Sequence, residues 1–552
     1  MSRKVVMGLS DRNMKAEVLR CFPRLTSVPW EPGVKKKKKK KKNRSRCGPR
    51  SLSRRALYSL AQQINATKIL VSLLPFTPQQ YMRTKSRTSG RDSVIILFRA
   101  REVRREVKMD GCNNNHVNTP AHRKVTAVII GAGNRGKNYA GYAEQFPDLM
   151  QVVAVAEPRE YARSLIQKRH SLPQERCYPG WESLETVEKL ADCAIIATQD
   201  QHHVQPAVAF AKKGYHILLE KPMAVTEEDC RSIYKACRDA GVILAVCHVL
   251  RYHPPAKKLK DLINSGIIGE VVNINHTEPV GFWHFAHSFV RGNWRNTKKS
   301  TFSLMAKCCH DVDLIAYWMG NKECVKISSF GSLHHFRKEK KPVGAGTRCL
   351  QCQVEAGCPY SAKKIYLDPA PDRPRWPMSV VCDIEDAPEG YLHKLKEAVE
   401  NGPYGKCVYE TDNDVCDNQV VNFEFVDGAT ASLTMVAFSE HICQRKTEVY
   451  GTMGQLVWDE SKGLKVTHFD FATKTLKVHH CEENEEATGW GHGGADFFMM
   501  KAFVEAVAHD DSHCIVTGPK VSLQTHLLAF AAEEARLTGS VVKPNEDPRW
   551  KV

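Results

Sequence analysis

Six residues, Gly131-Ala132-Gly133-Asn134-Arg135-Gly136, follow an apolar run and open an amphipathic segment, the context in which a G-x-G-x-x-G spacing points to a dinucleotide. The chemistry needs each glycine for a different reason. The first permits the tight turn, the second lets the backbone approach a pyrophosphate, and the third lets helix and strand pack closely. Asn134 and Arg135 fall in the first helical turn, whose amide donors and dipole favour phosphate, and they join the glycines as cofactor-binding candidates. Glu157 ends the next apolar run, 21 residues after Gly136. An acid there accepts hydrogen bonds from both ribose hydroxyls of NAD and repels a 2′-phosphate. Arg159, two positions on, would attract that phosphate, so the expected cofactor is NAD with NADP as the alternative.

Glu220-Lys221-Pro222 closes a further apolar run, at the sheet edge where doubly wound folds bind ligands. A lysine in that place holds a substrate hydroxyl and helps move its proton. Lys221-Pro222 is a candidate cis bond, because proline lowers the cost of that isomer. Farther along, 278–295 concentrates His284, His287, Arg291, Trp294 and Arg295. Arginines clamp carboxylate or phosphate and tryptophan packs on a sugar face, so the stretch reads as substrate-contacting, or as an interface or a loop packed on a sheet. Gly491-His492-Gly493-Gly494 followed by Asp496 reads as a pocket-lining turn with a capping acid, or as a plain helix start. Cys349, Cys352 and Cys358 have spacing short enough for zinc, with Cys382, Cys308 or Cys309 as a fourth ligand. The repeated C-x-x-C pattern of a strong zinc site is absent, and the expectation is reduced cysteines with no metal.

The elements that must hold these residues follow from periodicity. Apolar runs at 125–130, 152–157, 194–198, 216–220 and 242–248 alternate with helix-length segments such as 134–146, 203–213 and 226–240. Repeated β-α alternation demands a parallel, doubly wound sheet covered on both faces. Beyond 251 the texture changes. Helix candidates at 256–265 and 310–319 and strands at 270–277 and 325–330 lead to strand-like runs at 418–426, 430–438, 445–450 and 455–459. Asp427-Gly428 supplies a hairpin turn, and helices near 495–508 and 520–536 close the chain. The expected class is α/β for the first part and α+β for the second. The divisions are a basic extension over 1–123, a Rossmann domain over 124–250 and a substrate and oligomerisation domain over 251–540, with a cysteine-containing insertion at about 335–415.

The glycine fingerprint, Thr198 with His203, Glu220-Lys221-Pro222, Arg251-Tyr252 and His310-x-x-Asp313 stand in an order and spacing that resembles the glucose-fructose oxidoreductase, inositol dehydrogenase and rhizopine-catabolism dehydrogenase (Gfo/Idh/MocA) family, in an uncharacterised branch of it. The resemblance covers about 124–540. It implies a Rossmann domain followed by a domain with a large, open, mostly antiparallel sheet, whose exposed face builds homodimers or homotetramers. It also implies Lys221 and His310 facing the nicotinamide, and Thr198 and His203 near the cofactor. Substrate-side candidates are then Arg251, Tyr252, His287, Arg291, Trp294 and Asp313. One departure stands out. Family members that act on sugars and inositols carry an aspartate four residues before the histidine, where this chain has Ala306. Lys307 beside it is the candidate to compensate, and joins Lys221 and His310 as a catalytic candidate. The expected activity is NAD(P)-dependent hydride transfer at a hydroxyl-bearing carbon of a sugar, cyclitol or related small molecule. The alternatives are a glycosidase that oxidises transiently and a dinucleotide-binding regulator without catalysis.

Composition sets the outer limits. The net charge of +19 over 552 residues resides in the first part: 1–123 holds 30 Lys+Arg against 7 Asp+Glu, and 124–552 holds 50 against 54. A nearly neutral remainder has no global field for phosphate polymers, so nucleic acid is not an expected partner. The first 108 residues, with eight consecutive lysines at 35–42, read as a disordered segment, with a nuclear-localisation or nucleic-acid patch as the alternative, and Met109 as the start of a shorter product. No secretory signal pattern and no membrane-length apolar run is present, so a reducing, cytoplasmic setting is expected for the 20 cysteines.

Overall fold

A computed structural model gives the structure of the protein and describes residues 123–369, 376–383 and 390–552. The expectations for 1–122, including the lysine run and Met109, lie outside the described residues.

The continuous apolar runs become strands buried on both faces, as a parallel sheet requires. They are β1 (Val125–Ile130), β2 (Met150–Ala156), β4 (Cys193–Ile196), β5 (His216–Leu219) and β6 (Leu244–Val246), joined at one edge by β3 (Cys177–Tyr178), a half-buried pair of residues that no apolar run announced. They form one parallel sheet in the order β3-β2-β1-β4-β5-β6. The order reverses between β1 and β4, so a crevice opens at the carboxyl ends of these strands. Gly131, Glu157, Thr198 and Glu220 all follow such ends.

The second sheet contains β7 (Val271–Pro279), β8 (Cys324–Ser332), β9 (Asn418–Phe425), β10 (Thr430–Val436), β11 (Lys446–Gly451), β12 (Gly454–Asp459), β13 (Lys465–Asp470) and β14 (Thr475–His480). Their order is β14-β13-β12-β11-β7-β10-β9-β8, antiparallel throughout except for the parallel pair β7 and β10. Burial alternates along β9, β10 and β12, the mark of a sheet with one covered face. Helices Ser303–Trp318 and Pro519–Thr538 pack on the covered side. On the open side Phe330 lies opposite Val420, and Phe469 opposite Leu476, all exposed.

Three elements depart from the sequence expectation, each for a physical reason. The helix expected at 310–319 begins at Ser303; it is buried on nearly every side, so no polar stripe marks its start. Strands β13 and β14 pair at the sheet edge; β14 is exposed along nearly its whole length and β13 buries only Val466 and His468, too short an alternation to read as sheet. The stretch 278–295, to which the sequence assigned no regular element, contains a short helix, Phe282–Phe285, that widens into a π-helix over Ala286–Arg291.

Candidate active site

The turn after β1 explains its own glycines. Gly131 has φ +89°, and a Cβ on it would stand 2.6 Å from the Ala197 carbonyl oxygen. A Cβ on Gly136 would stand 1.9 Å from the Gly131 carbonyl oxygen. Gly133 differs: a Cβ there would meet nothing nearer than the Arg159 guanidinium at 3.9 Å. The middle glycine therefore borders open space at the N-terminus of helix Asn134–Gln145, which has no side-chain cap. That is the cradle a dinucleotide pyrophosphate requires, with uncapped amides facing it.

Glu157 is buried beside this cradle. One carboxylate oxygen accepts from the Ala132 amide at 2.7 Å, and the other accepts from the Arg159 amide and Nε, both at 3.0 Å. Arg159 is half-exposed and reaches Asp383 at 3.4 Å. Asn134 is exposed. Arg135 is fully engaged: Nε donates to Glu220 at 2.6 Å, one terminal nitrogen to Asp496 at 2.7 Å and the other to the Tyr139 hydroxyl at 2.6 Å. It thereby fastens the glycine-turn helix to the end of β5 and to helix Ala495–His509.

The Lys221-Pro222 bond is cis. His203, fully buried, has Nδ1 2.8 Å from the Pro222 carbonyl oxygen and Nε2 3.3 Å from that of Thr198, so it pins two turns at the carboxyl edge. The Thr198 hydroxyl donates to the His202 carbonyl at 3.1 Å. Lys221 crosses to the second part of the chain, where Nζ donates to the Ala306 carbonyl oxygen at 2.8 Å. The backbone of Ala306 thus receives the lysine at the position without a carboxylate.

One turn along that helix stands His310, 3% exposed, with no hydrogen-bond partner for either ring nitrogen among the described residues. Burial, then Lys221, His492 and His248, hold its pKa well below the usual histidine range, so the ring is neutral. A buried neutral imidazole without partners is suited to hydrogen-bond a polar ligand atom. His248, its ring 5.8 Å from His310, is orphaned in the same way.

Lys307 points elsewhere. Its Nζ lies 2.9 Å from Cys443 Sγ and 3.4 Å from Glu278. Burial opposes its charge, but Cys443 and Glu278 outweigh burial and hold the pKa above the ordinary lysine range. Glu278 also pairs with Arg445 at 3.0 Å, and Arg445 and His276 both meet Asp311, at 2.7 and 2.9 Å.

The remaining candidates find partners within the protein. Arg251 and Asp313 form a buried two-point pair at 2.6 and 2.8 Å, and the Tyr252 hydroxyl lies 3.2 Å from that of Thr517. His287 meets the Tyr366 hydroxyl at 2.9 Å and stacks on Tyr404. Arg291 donates to the carbonyls of Lys406 and Tyr360, both at 2.8 Å, and to Cys349 Sγ at 3.3 Å. Trp294 donates to Asp200 at 2.8 Å. Cys349, Cys352, Cys358 and Cys407 line a separate cavity of about 230 Å³ with Arg291. Among the described residues no cysteine is in a disulfide, and no group of three or more His, Cys, Asp or Glu is arranged to hold a metal ion.

His492, which the sequence reading placed in a pocket-lining turn but gave no role of its own, stands close to His310. It has φ +53°, Nδ1 lies 2.9 Å from Asp496, and its ring stands 5.7 Å from that of His310. The Gly491–Gly494 turn with Asp496 was the only available signal.

A glycine cradle, a buried acid at the end of β2 and a lysine at the carboxyl edge of a parallel sheet define the class of dinucleotide-binding α/β enzymes, here joined to a second, largely antiparallel domain. The chain belongs to the Gfo/Idh/MocA oxidoreductase family: the NAD-binding Rossmann domain of that family matches 125–248, and its C-terminal alpha/beta domain matches 260–513. The oxidoreductase YteT of Bacillus subtilis (strain 168) is 24% identical over 324 residues, which cover 56% of this chain and 71% of the relative. The 2,7-anhydro-N-acetylneuraminate hydratase of Escherichia coli (strain K12) is 27% identical over 209 residues, 38% of this chain and 53% of the relative. Among solved structures, levoglucosan dehydrogenase in complex with NADH and levoglucosan has a TM-score of 0.55 at 18% identity, covering 76% of this chain and 99% of that one. An oxidoreductase from Agrobacterium radiobacter in complex with NAD+, L-tartaric acid and magnesium has a TM-score of 0.54 at 15% identity, covering 76% and 98%. These structures share the fold. Among the described residues, no helix is long and apolar enough to cross a membrane.

Proposed function

We propose that this oxidoreductase moves a hydride between NAD and a hydroxyl-bearing carbon of a sugar, cyclitol or related polyhydroxylated small molecule. The observation that carries the reading is the meeting of Lys221 with the helix that bears His310. An ammonium and an unpartnered, neutral imidazole stand together at the carboxyl edge, beside the glycine cradle. When bound, the nicotinamide supplies the two-electron hydride acceptor. Gly131, Gly133 and Gly136 with the helix N-terminus would hold the pyrophosphate, and Glu157 the adenosine ribose, which favours NAD over NADP. Lys221 and His310 would hold the reacting oxygen. Lys307, already bound to Glu278 and Cys443, acts as a structural cation in this scheme.

The relatives whose names include levoglucosan dehydrogenase and an anhydro-sugar hydratase support a polyhydroxylated substrate. The hydratase name also favours a second reading, in which NAD is oxidant and then reductant within one cycle. Calorimetry with NAD and NADP, followed by NADH absorbance over a panel of polyols, anhydro-sugars and sugar acids, tests the proposal. Net NADH supports the dehydrogenase, product without net NADH supports the internal cycle, and a chain that fails to bind either dinucleotide removes both. The exposed pairs Phe330–Val420 and Phe469–Leu476 support association through the open sheet, which light scattering would read as a dimer or tetramer.

A further inference from the structure

We propose that His492, positioned by Asp496, takes the proton of the reacting hydroxyl, while His310 serves as a neutral hydrogen-bonding group; this rests on the oxidoreductase reading above. The local backbone is the first sign. His492, Gly493 and Gly494 have φ of +53°, +62° and +91°, three successive left-handed residues. A side chain other than glycine in that region is uncommon and costs about 1 kcal/mol or more, so the ring is placed against local preference. A Cβ on Gly493 would stand 2.9 Å from His253 Nε2, which wedges the turn in place.

The placement puts Nδ1 on Asp496 and leaves Nε2 as the acceptor. Asp496 is buried, and its second oxygen accepts from Arg135 at 2.7 Å and Asn138 at 2.8 Å. Burial works against its charge, but Arg135 and His492 hold the carboxyl well below the usual range, so it is ionised. The dyad is therefore tied directly to the helix that carries the glycine cradle.

Charge decides between the two imidazoles. A protonated His310 would be a buried cation beside Lys221 with no carboxylate on either nitrogen, which is strongly disfavoured. A protonated His492 would face Asp496. It also has an exit for the proton, since 32% of its side chain is exposed against 3% of His310. Burial keeps His492 below the usual histidine pKa despite Asp496, so it rests neutral and ready to accept. In the step, the substrate O–H bond breaks toward Nε2 and its electron pair becomes the carbonyl π bond. The C–H electron pair leaves as the hydride that the bound cofactor takes up. Imidazolium at His492 then returns its proton to solvent through the exposed edge.

The test has two arms. In the first, diethyl pyrocarbonate, which acylates neutral imidazole, is applied to the full chain across pH 4–9, and the His492 peptide is followed by mass spectrometry. The groups that face His492 are Asp496, Arg135, Lys307, His310 and His253. Asp496→Asn keeps an oxygen acceptor but removes the charge, so the acid limb of the labelling rate should move down by about one pH unit or more. An unlabelled His492, or a limb that Asp496→Asn leaves in place, overturns the proposal. In the second arm, myo-inositol, levoglucosan and D-glucose with NAD are the probes. His492→Asn suits the left-handed backbone, keeps a donor toward Asp496 and removes Nε2. It should lower turnover about 100-fold or more, abolish the acid limb of kcat/KM and leave NAD affinity within threefold. Turnover within threefold of wild type, with the limb retained, overturns the assignment. If no probe is turned over, the labelling arm decides. Failure of NAD to bind sinks the oxidoreductase reading instead, and calorimetry reports that separately.

Discussion

Two substitutions in one glycine turn, opposite in consequence, test the cofactor cradle: Gly133→Val and Gly136→Ala. At Gly136 a Cβ would stand 1.9 Å from a backbone oxygen, so restoring ordinary contact near 3.4 Å needs a shift of about 1.5 Å between turn and helix. Overpacking of that kind costs about 3 kcal/mol or more, because backbone has no rotamer to yield. At Gly133 the backbone is extended, with φ −68° and ψ −165°, and no protein atom lies within 3.9 Å of a Cβ. Valine fits there without strain, and stability should change by less than about 1 kcal/mol. The branched side chain would fill the space a pyrophosphate must enter. A loss of about 100-fold in NAD affinity, roughly 2.7 kcal/mol, is the expected minimum. Urea denaturation and calorimetry on both variants read the two effects separately. If Gly133→Val binds NAD as tightly as wild type, the pyrophosphate does not lie on this turn. If Gly136→Ala unfolds at the wild-type midpoint, the close packing of turn and helix is wrong.

Glu157→Gln keeps an acceptor for the Ala132 amide while removing the charge, and should narrow the preference for NAD over NADP; a wild type that prefers NADP would show that Arg159 dominates. Lys221→Met and His310→Asn should each lower turnover about 100-fold or more with NAD affinity nearly unchanged, and near-wild-type turnover in both would place the chemistry elsewhere. Lys307→Met should cost stability of about 3 kcal/mol by leaving Glu278 with Arg445 alone; a selective loss of turnover at full stability would instead return Lys307 to the reaction. Burial pushes His253 down to about 4, and His287 and His526 down to about 3. The unfolded chain protonates these near 6.5, so stability is full above that pH and falls as pH drops toward 4, by up to about 1.4 kcal/mol per histidine per unit. Denaturation midpoints that stay level between pH 7 and pH 5 would contradict this.

The first sheet was legible because its strands are buried on both faces and read as unbroken apolar runs, and because the glycine spacing marks the turn between them. The covered strands of the second sheet were legible by alternation. β13 and β14 were not, since β14 is exposed and need not be apolar on either face, and β13 turns only Val466 and His468 inward. In the candidate site, the cis peptide at Lys221-Pro222 followed from the sequence Glu220-Lys221-Pro222. The partners of the other candidates did not. Arg135 looks like a phosphate ligand by position, yet its guanidinium is consumed by Glu220, Tyr139 and Asp496, the last 361 residues away. Lys307 is next to Ala306 in sequence, but successive helix residues face different ways, and its charge is met by Glu278 of β7.

The absent carboxylate at Ala306 then takes on a definite physical meaning. With no acid on that turn, Lys221 is held by a backbone carbonyl, which fixes its position without neutralising it. Burial, and then this cation, keep His310 neutral, and in the proposed scheme a neutral His310 would hold an oxygen but resist its proton. The carboxylates that remain close by, Glu220 and Asp496, share the guanidinium of Arg135, and only Asp496 also reaches an imidazole with an open edge. The charge missing beside Lys221 is thus present behind His492, whose ring stands 5.7 Å from that of His310. Restoring it directly offers the converse experiment: Ala306→Asp should draw Lys221 into an ion pair and raise the His310 pKa, so that the loss of turnover from His492→Asn becomes smaller in the double variant. Equal losses in both backgrounds would mean that the two positions act independently.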